Sequence, residues 1–130
     1  MIGSNAYNYI NVLNKAADAS WLRHTVISNN IANVDTPGYK RKDVQFESYL
    51  MAAMTGSGSV SERVDSINLD TLSPMIYTDR ADLSYRLDGN NVDIDTESAN
   101  QAENTLRYYA LLDSINQEFT RLRTVINSNQ

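Results

Sequence analysis

Ile27-Ser28-Asn29-Asn30-Ile31-Ala32-Asn33-Val34-Asp35-Thr36-Pro37-Gly38-Tyr39 decides how this chain is organised. Ile27 and Ile31 continue a helical stripe, whereas Asn29, Asn30 and Asn33 are poor helix formers. Asn33 can take the left-handed conformation that commonly ends a helix. Thr36 precedes a proline and so favours extended geometry. Pro37-Gly38 then supplies a fixed φ followed by a positive φ, the pair a type II turn needs. A helix must stop here and the chain must change direction.

Upstream, the residues from about Asn5 to Ala32 read as one helix, roughly 42 Å long at the usual rise. Ala6, Ile10, Leu13, Ala17, Ser20, His24, Ile27 and Ile31 recur at alternating steps of four and three, the spacing of a coiled-coil seam. A second row, Val12, Ala19, Leu22 and Val26, lies round the helix from the first, and Trp21 lies beyond both. Two apolar rows on one helix need two sets of neighbours. His24, the only histidine, reads as a packed ring hydrogen-bonded to a neighbour: with no cysteine and no second histidine it has no partners for a metal.

The far end of the chain repeats the pattern. From about Thr96 to Asn127 the sequence predicts a second helix, roughly 48 Å long. Its seam is Thr105, Tyr108, Leu112, Ile115, Phe119, Leu122 and Ile126, with a second row at Ala99, Ala102, Leu106 and Tyr109. Leu111 and Val125 extend the apolar surface, and Arg121 and Arg123 suit a negative helix terminus. Tyr108-Tyr109 reads as packing and not as a platform for bases. Asp93 or Asp95 can cap the start, where Glu97 favours the positive dipole end. The oxygen-rich stretch Asp88–Glu97 does not have the spacing of a calcium loop, because glycine comes second and Val92 breaks the alternation.

Between the helices the signals are local. Lys40-Arg41-Lys42 reads as a solvated basic run. Val44 and Phe46 alternate with polar residues, which predicts a brief extended segment, and Glu47 to Met54 returns to helical spacing. Thr55-Gly56-Ser57-Gly58-Ser59 is a flexible linker by composition. No period governs Val60 to Asp82, apart from a short apolar patch at Met75-Ile76-Tyr77; this region is either disordered in the free subunit or shaped by partners. Leu83, Tyr85 and Leu87 alternate before Asp88-Gly89, which predicts a strand ending in a turn.

The expected fold class is mainly α, with the two long terminal helices pairing as an antiparallel coiled coil and an irregular, partly β middle that is flexible in the monomer. The expected divisions are 1–34 for the N-terminal coiled-coil helix, 35–54 for the turn and following segment, 55–92 for the irregular middle with a short strand, and 93–130 for the C-terminal coiled-coil helix. Both helices carry more apolar surface than one hairpin can hide, and such patches mark interaction surfaces. When one face of a subunit binds a different face of the next without closing, a helical filament results.

Composition narrows the alternatives. The chain has 130 residues, a formal net charge of −5 and no cysteine. Its acidity argues against binding phosphate backbones, and the missing cysteines remove disulfides, thiolate nucleophiles and sulfur-rich metal sites. No apolar run approaches a membrane span, so no direct membrane insertion is expected, and no cleaved secretory signal is visible. No Ser-His-Asp set is available beyond His24, and no glycine-rich phosphate loop appears. The expectation is an assembly subunit that is not an enzyme and needs no cofactor or metal. A soluble coiled-coil adaptor or export chaperone is the alternative; it would share the seam but has no need of the turn at residues 33–39.

Ser28-Asn29-Asn30-Ile31-Ala32-Asn33-x-Asp35-Thr36-Pro37-Gly38-Tyr39 closely resembles the N-terminal signature of bacterial flagellar rod and hook proteins. Gly89-Asn90-Asn91-Val92-Asp93 resembles the lead-in to the C-terminal helix in the proximal-rod members of that family. The resemblance covers approximately residues 1–50 and 91–130, and the stretch from Thr55 to Asp82 lies outside it. It implies terminal helices paired into an inner domain lining the axial tube, with the signature residues Ser28 to Tyr39 acting as an assembly motif against adjacent subunits. The implied place is the periplasmic rod of the flagellar basal body, between the MS ring or export gate and the distal rod. The implied partners are other rod subunits, the basal adaptor (FliE-type) protein, the MS ring and the export gate. It also implies self-association in a helical assembly, and export through the flagellum's own channel without a cleaved signal peptide.

Overall fold

The computed structural model describes residues 4–83 and 86–129. In chain order the elements are α1 (Ser4–Ala32), β1 (Lys42–Gln45), α2 (Glu47–Ala53), α3 (Val60–Asp65), β2 (Met75–Thr78) and α4 (Ile94–Ser128). α1 and α4, of 29 and 35 residues, are the terminal helices, about 44 and 52 Å long at the standard rise. They pack antiparallel. Glu97 meets Asn30, Gln101 meets Ser28 and Asn104 meets Ser20, so positions fall along α1 as they rise along α4.

Both rows of α1 find cover within the chain. Ile10, Ala17, Ser20 and Ile27 of the first row are buried, with Leu13, His24 and Ile31 half-buried. In the second row Val12 and Ala19 enter a core with Phe46, Val64, Ile67 and Leu72, edged by Tyr49, Leu50, Met54 and Leu69. The second set of neighbours is thus the chain's own middle, folded back along α1. Burying a side chain such as Phe46 or Leu72 contributes about 1.5–3 kcal/mol. His24 stacks on Trp21, ring centroids 5.7 Å apart, and lies 3.5 Å from the Gln101 amide.

α4 differs. Its buried residues are the polar pair Glu97 and Asn104. Along its seam Thr105, Tyr108, Leu112, Ile115 and Leu122 are half-buried, while Phe119 and Ile126 stay about half exposed. The second row, Ala99, Ala102, Leu106 and Tyr109, is exposed throughout. The helix continues to Ser128, so Arg121 and Arg123 fall short of its last turn, and Arg121 pairs with Glu118 instead.

The middle holds more regular structure than its composition suggests. α3 is six residues long, too short to display a period, and is started by a capping box in which Ser59 and Glu62 exchange hydrogen bonds. The Met75-Ile76-Tyr77 patch is β2, paired antiparallel with β1 so that Lys42 faces Thr78 and Val44 faces Ile76. The strand expected at Leu83, Tyr85 and Leu87 is displaced accordingly. Leu83 and Leu87 lie in irregular backbone, and Tyr85 lies outside the described residues.

Candidate functional site

The end of α1, the turn after it, the start of β1 and the start of α4 converge on one polar junction. The turn forms as its residues dictate. Tyr39 N–H donates to the Thr36 carbonyl, and Gly38 between them has a φ of 72°, the positive value required at the third position of a type II turn. α1 itself ends differently from expectation: no residue other than glycine has a positive φ among the described residues, Asn33 included. Asn33 stops the helix through its side chain. Its amide donates to the Asn29 carbonyl at 2.8 Å and its Oδ1 accepts from the Thr36 hydroxyl at 3.1 Å, so local side-chain bonds replace the missing left-handed cap.

A second loop locks this turn from outside. Gly38 N–H donates to the Asp88 carbonyl at 2.8 Å, and Asn91 N–H to the Tyr39 carbonyl at 3.3 Å. The buried Asn90 amide reaches three carbonyls of the turn, those of Asn33, Val34 and Thr36, at 2.9–3.0 Å. Asn91, also buried, accepts from Arg41 N–H at 2.6 Å and donates to the carbonyls of Asp79 and Ala81. Asp93 caps α4 by accepting from the N–H groups of Asp95 and Thr96.

At the centre lie Asn30, without exposed surface, and Glu97, only 1% exposed. Asn30 accepts from Lys42 N–H at 2.9 Å and from the Tyr39 hydroxyl at 3.2 Å, and donates to the Lys42 carbonyl at 2.7 Å and to Glu97 at 3.0 Å. Glu97 accepts from Arg41 Nε at 2.6 Å, and the same guanidinium reaches Asp43 and Asp79. Arg41 has therefore turned inward from the basic run that composition placed in solvent, leaving Lys40 to pair with Asp82. Burial works against the Arg41 charge, but its hydrogen bonds to Glu97 and Asp43 outweigh that and raise its pKa. Burial, with the Glu97 charge beside it, also pushes the Tyr39 hydroxyl above its ordinary value. Groups this deep are costly unless bonded, and their bonds are directional, so the junction admits one geometry.

The signature residues divide across this surface. Ser28 accepts from Gln101, Asn30 holds the centre, Asn33 ends the helix, and Gly38 and Tyr39 join the second loop. Asn29, Ala32, Asp35, Thr36 and Pro37 are exposed, and Ile31 is half-buried. Asn90, Asn91, Arg41 and Glu97 complete the junction without any of them standing out by residue type. A separate ionic cluster ties three helices together nearby: Arg23 of α1 and Arg107 of α4 both bond Glu47 of α2. The Arg23 hydrogen bond brings the Glu47 carboxyl down to about 2. Among the described residues no three His, Asp or Glu side chains are grouped to hold a metal ion, and no helix is long and apolar enough to cross a membrane.

Two long terminal helices clamped at one polar junction, with no metal cluster among the described residues, are the architecture of a structural subunit, and the known relatives agree. Residues 10–40, from Ile10 of α1 through the turn, match the family described as flagella basal body rod protein. "Flagellar basal body rod protein FlgB" of Bacillus subtilis (strain 168) is 34% identical over 119 residues, 91% of this chain and 92% of the relative. The proteins of the same name from Escherichia coli (strain K12) and Borrelia hermsii are 33% and 36% identical, covering 82% and 79% of this chain and 83% and 78% of theirs. The chain belongs to the FlgB family of flagellar basal body rod proteins.

Proposed function

We propose that this chain is a non-catalytic subunit of the proximal rod, joined to its neighbours through the outer surface of its terminal helix pair and through the exposed part of the signature turn. The observation that carries this reading is the bare apolar row on α4. Leu106 is 72% exposed and Tyr109 62%, with Trp21 of α1 at 59%. A row of this kind on a helix already paired along another face is a surface awaiting a neighbour. The junction serves the same end. By fixing α1 against α4 it fixes which rows face outward, and it presents Asn29, Asp35 and Pro37 at one end of the pair.

On this reading the neighbours are sibling rod subunits, the basal adaptor, and the MS ring and export gate, with the chain delivered through the flagellar export channel. A strain lacking the gene tests it: isolated basal bodies should stop at the membrane ring when viewed by electron microscopy, and supplying the chain should restore the rod. Complete rods in the deletion strain would refute it.

A further inference from the structure

Each strand of the β1–β2 ribbon turns one edge to its partner and one away. Asp79 N–H donates to the Arg41 carbonyl at the head of the register, and the antiparallel alternation follows from it. The backbone groups of Asp43 and Gln45 face Tyr77 and Met75, while those of Lys42 and Val44 point outward. On β1 that outward edge is taken: Asn30 bonds both groups of Lys42, and Arg23 donates to the Val44 carbonyl. On β2 the outward groups belong to Ile76 and Thr78, and neither residue has a backbone partner there among the described residues.

An open strand edge is a template for another strand, and proteins usually blunt it with lysine, proline or a bulge. Met75–Thr78 has none of these, and all four residues are exposed, Ile76 by 47% and Tyr77 by 43%. A two-stranded ribbon is also marginal by itself.

We propose that β2 is a strand-addition site, and that its occupant is an extended, uncharged, apolar segment of another basal-body protein. The proposal rests on the rod reading above. The occupant's chemistry follows from the edge. Donors and acceptors recurring at every second residue are matched by an extended peptide, and the side chains of Met75, Ile76 and Tyr77 offer no charge to pair with. A second copy is a poor occupant. β1 has its outer edge filled, so the copy has only its own β2 to offer, and two such edges pair about a two-fold axis and close. A rod grows instead through unlike faces.

Ile76→Pro removes the outward N–H but no β1–β2 hydrogen bond, and Ile76→Lys places a charge on the edge. A benzophenone photocrosslinking residue at position 76 reports the neighbour in assembled basal bodies. The expected result is that both variants keep the wild-type circular dichroism and thermal midpoint. Their recovery in purified basal bodies falls roughly tenfold, the effect of losing one or two backbone hydrogen bonds at an interface. The crosslinker should capture a different basal-body protein. Wild-type incorporation of both variants, no adduct, or an adduct with a second copy overturns the proposal. Absence of the wild-type chain itself from basal bodies overturns the rod reading as well, which separates the two failures.

Discussion

The side-chain amide of Asn30 and the peptide of Lys42 exchange two hydrogen bonds, of 2.7 and 2.9 Å, so that a helix side chain stands in for a third strand beside β1. The same amide holds Glu97 and Tyr39, which uses its full bonding capacity in a site closed to water. The signature asparagine is therefore first a structural residue. It sets where the chain goes after α1, and so where α4 begins.

Asn30→Ala leaves the Lys42 peptide and the Glu97 carboxylate short of partners, and should cost about 3 kcal/mol in urea unfolding at neutral pH. Asn30→Asp should cost more, because a second carboxylate then faces Glu97 and cannot donate. The two carboxylates compete for ionisation, so acidification should recover part of the loss in the aspartate variant and none in the alanine variant. An Asn30→Asp protein as stable as wild type at pH 7 would refute the assigned contact.

Arg41 and Glu97 should respond unequally to truncation. Glu97→Ala leaves Arg41 with Asp43 and Asp79, both partly exposed to solvent. Arg41→Ala leaves a buried carboxylate with only Asn30, and should destabilise by about 3–5 kcal/mol. The reverse order in denaturation would mean that Asp43 and Asp79 do not share the Arg41 charge.

Gly38 carries a φ of 72° with open space where a side chain would go. Its role is conformational, so Gly38→Asn should be tolerated better than Gly38→Val, which should lower stability by about 1–2 kcal/mol. In cells Gly38→Val should reduce rod assembly more than export. Equal thermal midpoints for the asparagine and valine variants would show that the turn does not require a positive φ.

How far these features were legible from residues alone depends on the range of their causes. The helices and the Pro37-Gly38 turn rest on neighbours within a few positions, and their outlines followed from periodicity and turn chemistry. α3 had a local signal too, in Ser59 and Glu62 at capping-box spacing. Glu97 looks like any acidic residue in a first helical turn, and its burial is decided by Arg41, 56 positions away. Asn90 and Asn91 act on carbonyls of distant turns, which carry no side-chain identity to read. β2 was hidden for the same reason, since a four-residue strand is defined by its partner.

Acid should weaken the Arg23–Glu47–Arg107 cluster in a defined window. The Glu47 carboxyl lies at about 2 in the folded chain against an ordinary 4.5. A depressed folded value gives a contribution fully present above about 4.5 and lost as pH falls through about 2. Glu47→Gln should therefore be less stable than wild type at pH 7, with the gap closing as the pH is lowered across that window. Because Glu47 and Arg107 are about half exposed, salt should narrow the gap as well. A gap unchanged from pH 7 to pH 2 would remove Glu47 as the titrating group.

The outward row of α4 separates folding from assembly. Leu106 and Tyr109 contribute little to the chain's own core, being 72% and 62% exposed. Leu106→Asp and Tyr109→Asp should therefore change unfolding free energy by no more than about 0.5 kcal/mol, as exposed substitutions generally do. A charge in the middle of an apolar contact is a different matter, because assembly would bury it without a partner. Both variants should be exported and folded yet missing from purified basal bodies, with Tyr109→Phe, which keeps the apolar ring and loses only the hydroxyl, behaving as wild type. Ala17→Asp supplies the contrast, since Ala17 is 7% exposed and its replacement should unfold the chain outright. If the α4 aspartates enter the rod at wild-type levels, the row is ordinary surface and the neighbours dock elsewhere.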